Sequence, residues 1–160
     1  MGQLLQRENV ANFVQKLHQS GKTVVVTNGC FDILHVGHVR YLQKTKTFAD
    51  YLIVLLNSDK SVKSIKGPTR PINNEQDRAE VLCALGCVDY VVMFDEDSPG
   101  NLIDEIKPDV YTKGADYTMD TLPEADIMRR NNIRVEFIDF VAGKSTTNTI
   151  NKMKESKKYN

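Results

Sequence analysis

The chain carries no excess of either charge: 21 Lys and Arg stand against 21 Asp and Glu over 160 residues. Without a basic surplus there is little to neutralise a phosphate backbone, so nucleic acid is a poor candidate partner and a small charged substrate a better one. Long apolar runs are also missing. None approaches the roughly 20 residues needed to span a bilayer, and residues 1–20 form an amphipathic stretch rather than a signal peptide. No membrane partner is expected, and the expected location is cytoplasmic. There is no internal repeat, low-complexity tract or linker, which leaves a single domain long enough to bury its own core. Cysteine is scarce and odd in number. The spacing of Cys83 and Cys87 fits two thiols one turn apart on an apolar helix, which suits a core better than a metal site. An apolar fraction of 41% with 26% charged residues is ordinary for globular proteins and excludes disorder or a fibrous architecture.

What is present is an alternation of periods. Leu4, Leu5, Phe13, Val14 and Leu17 trace a helical apolar face over 3–20, and Gly21 follows as a stop. Residues 1–22 are therefore expected as a leading helix, 23–153 as the domain proper and 154–160 as a frayed tail. Buried-strand patterns occur at 23–27, 51–56, 90–94, 109–112 and 133–140. Helical patterns fall between them at 37–49, 74–85, 99–106 and 124–131, with a last one at 146–153. This order predicts an α/β fold, a parallel sheet with helices on both faces. Ligands of such sheets gather beyond the carboxyl ends of the strands. The polar, Gly-containing loops there are 28–38, 57–73, 113–117 and 141–147.

The first of these loops is the most informative. It reads Asn28-Gly29-Cys30-Phe31-Asp32-Ile33-Leu34-His35-Val36-Gly37-His38 and holds two of the three histidines. Gly29 allows a turn close to a ligand, and Gly37 leaves amides uncovered at a helix start, where the dipole favours anions. His35 and His38, three residues apart across that start, can both donate to one anion as its charge grows. Two unrelated surface or capping histidines are the plainer account, but the framing by two glycines after a buried strand favours a working pair. Zinc would require further ligands that are not at hand.

Other segments admit two accounts each. Lys63 and Lys66, in the 57–73 loop, can offset phosphate charge or form a solvated basic loop. Arg78 can meet a phosphate or pair with Glu75 or Asp77. Lys113 and Gly114 can border a nucleotide, with Tyr117 stacking on its base, or make an ordinary turn. Ser145, Thr146 and Thr147 can bind a phosphate oxygen as well as cap the last helix.

Residues 29–38 resemble the GxFDxxHxGH motif of the cytidylyltransferase-like nucleotidyltransferases, a superfamily of Rossmann-like fold. Asn57-Ser58-Asp59, Ile65-Lys66-Gly67, Arg70-Pro71, Asp77-Arg78, the 88–92 segment, the 113–117 segment and Ser145-Thr146-Thr147 follow the order of one subfamily. It is the subfamily of adenylyltransferases that make ADP-heptose from heptose 1-phosphate, either alone or fused to a kinase.

The resemblance implies transfer of AMP from ATP to a sugar 1-phosphate of the D-glycero-D-manno-heptose type, with release of pyrophosphate. It implies catalytic roles for His35, His38 and Lys66. Nucleotide contacts are implied for Gly29, Cys30, Phe31, Asp32, Gly37, Lys113, Gly114, Ser145, Thr146 and Thr147, and acceptor contacts for Asn57, Asp59, Lys63 and Arg78. Mg2+ is expected to be held mainly by substrate phosphates, with protein ligands unassigned. A separate sugar kinase would supply the acceptor, and pairing into a homodimer is left open.

Relatives that make CDP-glycerol or CDP-choline carry an arginine in the segment that reads Phe140-Val141-Ala142-Gly143-Lys144-Ser145-Thr146-Thr147 here. Its absence disfavours, but leaves as runner-up, a cytidylyltransferase using CTP and glycerol 3-phosphate or a similar polyol phosphate. A nucleotide-binding module without turnover is a rival of another class, which the intact His35, Gly37, His38 and Lys66 oppose.

Overall fold

The computed structural model describes residues 1–139 and 145–156. Expectations for 140–144, including the end of the last strand, and for 157–160 of the tail lie outside the described residues. Six parallel strands form one sheet: β1 (Gln3–Leu5), β2 (Val24–Gly29), β3 (Tyr51–Asn57), β4 (Tyr90–Phe94), β5 (Val110–Gly114) and β6 (Arg134–Ile138). Their spatial order is β1-β4-β3-β2-β5-β6. Between them run α1 (Arg7–Gln19), α2 (Val36–Lys46), α3 (Asp59–Lys66), α4 (Glu75–Cys83), α5 (Gly100–Ile106) and α6 (Ala125–Arg130), and α7 (Thr146–Ser156) follows. The architecture is the expected Rossmann-like α/β domain.

The unbroken apolar strands are explained by burial on both faces. Along β2 and β3, Val24, Val26, Ile53 and Leu55 enter one core with Val10 and Val14 of α1 and with residues of α5 and α6. Val25, Leu52, Val54 and Leu56 point the other way, into a second core with Leu42 of α2 and Ala79 and Leu82 of α4. A period of two with both phases buried gives continuous hydrophobicity.

Three sequence expectations are corrected. The leading helix begins at Arg7 rather than at residue 3, and Gln3–Leu5 is an edge strand in register with Tyr90, Val91 and Val92 of β4. Gly2 fits there because a Cβ on it would come within 2.8 Å of the Val88 carbonyl oxygen. Within the 57–73 loop lies α3, capped by the Ser58 hydroxyl, which accepts from the Ser61 amide. Finally, α4 stops at Cys83, so Cys87 lies beyond the helix; both thiols pack against the second core.

The sheet prepares a site through its connectivity. The chain moves outward from β2 through β3 to β4, then returns to the opposite side of β2 as β5. Pairing between β2 and β5 is recorded only at Val25↔Val110 and Val26↔Tyr111, although the strands run on to Gly29 and Gly114. A crevice opens where the order reverses, which is where ligands of doubly wound sheets bind. Beneath it, the Tyr41 hydroxyl bonds Thr27 at 2.9 Å and donates to Thr112 at 3.2 Å, fixing α2 to both strands.

Candidate active site

A cavity of about 550 Å³ occupies this edge of the sheet. It is bordered by all three residues expected to be catalytic, His35, His38 and Lys66, and by every residue expected at the nucleotide: Gly29, Cys30, Phe31, Asp32, Gly37, Lys113, Gly114, Ser145, Thr146 and Thr147. Of the expected acceptor contacts only Asn57 borders it. Asp59, Lys63 and Arg78 stand back, for reasons given below.

The turn after β2 is built by Phe31, whose φ of 44° lies in the left-handed region. Phe31 is buried against the second core, and its ring covers Gly29 so closely that a Cβ there would lie 2.8 Å from the ring edge. Gly29 is thus required by the approach of Phe31, and the turn itself is taken by the phenylalanine, not the glycine. Backbone strain of this kind is tolerated where surrounding packing over-determines it.

The two histidines form a reciprocal cap at the start of α2. The Gly37 amide donates to His35 Nδ1 at 3.0 Å, and the His35 amide donates to His38 Nδ1 at 3.3 Å. The rings stack with centroids 3.9 Å apart. Since both Nδ1 atoms accept, each neutral ring carries its proton on Nε2.

Burial, and then the neighbouring His35, lower the pKa of His38 to about 4. It is a neutral donor near pH 7. Because the folded value lies below that of an unfolded histidine, the unfolded chain binds the extra proton first as pH falls. The associated stability is complete above about pH 6.5 and is lost as pH drops through that value towards 4. A proton NMR titration of the His38 ring is therefore expected to stay flat from neutrality down to about pH 5. Titration near 6.5 would show that the ring is hydrated and carries a charge.

Asp32 borders the cavity, yet its carboxylate is fully engaged. It accepts from Arg70 Nε at 2.9 Å, from the Ile72 amide at 2.8 Å and from the Asn73 amide at 2.9 Å, with no side-chain exposure. Burial pushes its pKa up, but the two amides and the guanidinium together outweigh this and hold it below the usual carboxylate range. It ties the 70–73 segment to the histidine loop while bordering the cavity.

Arg78 stands back from the cavity. It is 2% exposed and pairs with neither Glu75 nor Asp77. It donates to the carbonyls of Cys30 and Asn57, both at 2.7 Å, to the carbonyl of Asn73 at 2.9 Å and to Asp59 Oδ1 at 2.9 Å. One guanidinium fork thus braces the ends of β2 and β3 and the entry to α4, and occupies Asp59 in doing so. Lys63 and Lys66 lie on α3 rather than in a loop; both are exposed, and only Lys66, at the helix end, borders the cavity.

On the far side of β2, Tyr111 donates to Asn28 Oδ1 at 2.6 Å, and Lys113 Nζ lies 3.5 Å from the same oxygen. The Lys113 ammonium stands 5.1 Å over the Tyr117 ring. Burial lowers the pKa of Lys113, while Glu124 and Asp116 oppose that shift. Ser145 caps α7, accepting from the Asn148 amide at 3.0 Å, and Thr146 donates to the Ile33 carbonyl at 2.9 Å. Two helix N-termini, those of α2 and α7, therefore border one cavity, a pairing suited to phosphates. Burial pushes the Cys30 thiol up, above its ordinary range, which keeps it protonated and unsuited to nucleophilic attack.

Several bordering residues were not expected from sequence: Tyr41, Arg70, Asp97, Ser98, Asp116 and Glu124. Arg70 and Asp116 lay inside recognised segments. Asp97, Ser98 and Glu124 offered no local signal, since an exposed acidic turn reads the same way. No helix among the described residues is long and apolar enough to cross a membrane.

Comparison with known proteins agrees with this geometry. The Bifunctional protein HldE of Syntrophotalea carbinolica is 52% identical over 147 residues, covering 92% of this chain and 30% of the relative. That of Campylobacter fetus subsp. fetus is 56% identical over 139 residues, covering 87% of this chain and 30% of the relative. The chain thus spans about 30% of the length of these curated relatives. The crystal structure of the lipopolysaccharide core biosynthesis protein from Thermoplasma volcanium GSS1 superposes with a TM-score of 0.60 at 31% identity, covering 76% of this chain and 98% of that one. Residues 26–159 match the family model described as cytidylyltransferase-like. With the paired histidines at the start of α2 and the crevice between β2 and β5, the chain belongs to the cytidylyltransferase-like family.

Proposed function

We propose that this domain transfers AMP from ATP to a sugar 1-phosphate of the D-glycero-D-manno-heptose type and releases pyrophosphate. The observation that carries the reading is the convergence of His35, His38, Lys66, Lys113 and the N-termini of α2 and α7 on one cavity. The choice of adenine and of a heptose rests on the order of the recognised segments and on the similarity to HldE proteins.

In the proposed reaction an oxygen of the acceptor phosphate attacks the α-phosphorus of ATP. A new P–O bond forms, the α–β bridging bond breaks, and its electron pair leaves with pyrophosphate. The attacking phosphate is already ionised near neutral pH, so the protein's work is alignment and charge stabilisation. His35 and His38 donate Nε2–H to the triphosphate as its charge shifts, while Lys66 and Lys113 offset the charge of two polyanions. Among the described residues no three His, Cys, Asp or Glu side chains gather into a metal-binding group. Mg2+ is accordingly proposed to arrive with the triphosphate and to be held mainly by phosphate oxygens and water. A sugar kinase is proposed as the source of the acceptor.

The test is pyrophosphate release with Mg2+, offering ATP, CTP, GTP and UTP separately to heptose 1-phosphate and to glycerol 3-phosphate. ATP with heptose 1-phosphate is the expected productive pair. Turnover with CTP and glycerol 3-phosphate alone would keep the mechanism and overturn the substrates. Silence from every pair in folded protein would overturn the reaction.

A further inference from the structure

Glu124 immediately precedes α6, is 4% exposed and borders the cavity. Oε1 is anchored: it accepts from the Ser98 hydroxyl at 2.8 Å, and Ser98 Oγ in turn accepts from the Gly100 amide at 3.2 Å. Oε2 is buried and has no hydrogen-bond partner among the described residues. Leaving a buried carboxylate oxygen unmatched costs more than the average hydrogen bond contributes. An anchored carboxylate with an unmatched second oxygen, on a residue that borders a ligand cavity, has the form of a recognition group.

Its location limits what it recognises. A carboxylate repels phosphate, so its ligand must present uncharged or cationic donors. Of the phosphate-directed groups, Lys113 lies within electrostatic reach of Glu124, while the histidine pair and the α7 start stand on another side of the cavity. His38 meets Phe31 on the second-core side, and α7 is tied to Ile33 of the same loop. Glu124 instead stands beside α5 and α6, over the first core, next to the loop that follows β4. Resting on the transfer proposed above, we propose that Glu124 is a specificity-determining residue whose Oε2 accepts hydrogen bonds from hydroxyl groups of the acceptor sugar. The reading assigns the α5–α6 side of the cavity to a polyol body and the α2 side to the triphosphate.

The test uses the full chain and the variant Glu124→Gln, which keeps the size and the Ser98 bond but loses the charge. Binding of heptose 1-phosphate and of ATP is measured separately by calorimetry, together with the melting temperature. The expected result is a loss of sugar phosphate affinity of about ten- to a hundredfold, as for charge-assisted hydrogen bonds. ATP affinity should be unchanged and the melting temperature equal or higher. A merely structural role would instead lower the melting temperature and leave both affinities alone.

Unchanged sugar phosphate affinity overturns the assignment, as does a loss confined to ATP, which would place ribose or base hydrogens on Oε2. If Glu124→Gln does not fold, Ser98→Ala, which releases Oε1 from its anchor, is expected to show the same split between sugar phosphate and ATP; unchanged affinities there count against the assignment. Wild-type turnover with an unaffected Glu124→Gln removes only this inference, whereas a wild type inactive with every pair removes the transfer reaction as well.

Discussion

Replacing His38 by alanine is expected to lower kcat by about a hundred- to a thousandfold, the scale seen when one preorganised donor to a developing oxyanion is lost. The expectation follows from the ring's environment. Burial keeps the imidazole neutral to about pH 4, and acceptance at Nδ1 commits its proton to Nε2. The ring therefore acts as a fixed dipole and not as a titrating cation. Alanine removes that dipole together with one half of the cap on α2, which costs about 1 kcal/mol of stability. Glutamine keeps an amide donor and should retain more turnover than alanine. The measurement is single-turnover pyrophosphate release beside a thermal melt, and normal turnover in a well-folded alanine variant would refute the assignment.

The second large effect is on stability. Arg78→Ala removes donors to three carbonyls and to Asp59, and breaking such a buried charged network costs about 3–5 kcal/mol. Urea unfolding should show the midpoint falling accordingly. Lysine is not expected to rescue it, because an ammonium cannot serve carbonyls from β2, β3 and the α4 entry in one plane. This prediction separates the two accounts of the residue. An arginine that bound substrate would leave stability nearly untouched and raise KM; a brace does the reverse. A loss below about 1 kcal/mol would return Arg78 to the substrate.

The elements read correctly from sequence share one property: their pattern is local and repeated. β2 and β3 are continuous apolar runs because both faces are covered, and α2 carries its cap and its buried positions within a dozen residues. β1 did not show itself because three residues hold too little pattern, and its partner β4 lies some 87 positions away in the register Gln3↔Tyr90. Its leucines then read as an extension of the helix face that follows. α3 is eight residues long and sits among polar loop residues, too short for a period to stand out.

The site divides along the same line. Residues 28–38 concentrate two glycines and two histidines in one stretch, so the sequence by itself determined that a turn leading into a histidine-bearing helix start follows a buried strand. Spacing and residue type suffice when the interacting groups are three positions apart. Only the tertiary structure decided that Asp32 and Arg78, expected at the nucleotide and the acceptor, hold loops together through buried hydrogen bonds. It alone decided that Glu124, 26 residues from Ser98 and bonded to it, borders the same cavity. Whether a polar side chain meets a ligand or a backbone depends on which strand ends the sheet order brings side by side. Here the order β4-β3-β2-β5 set those neighbours, through hydrogen bonds and burial between segments far apart in the chain.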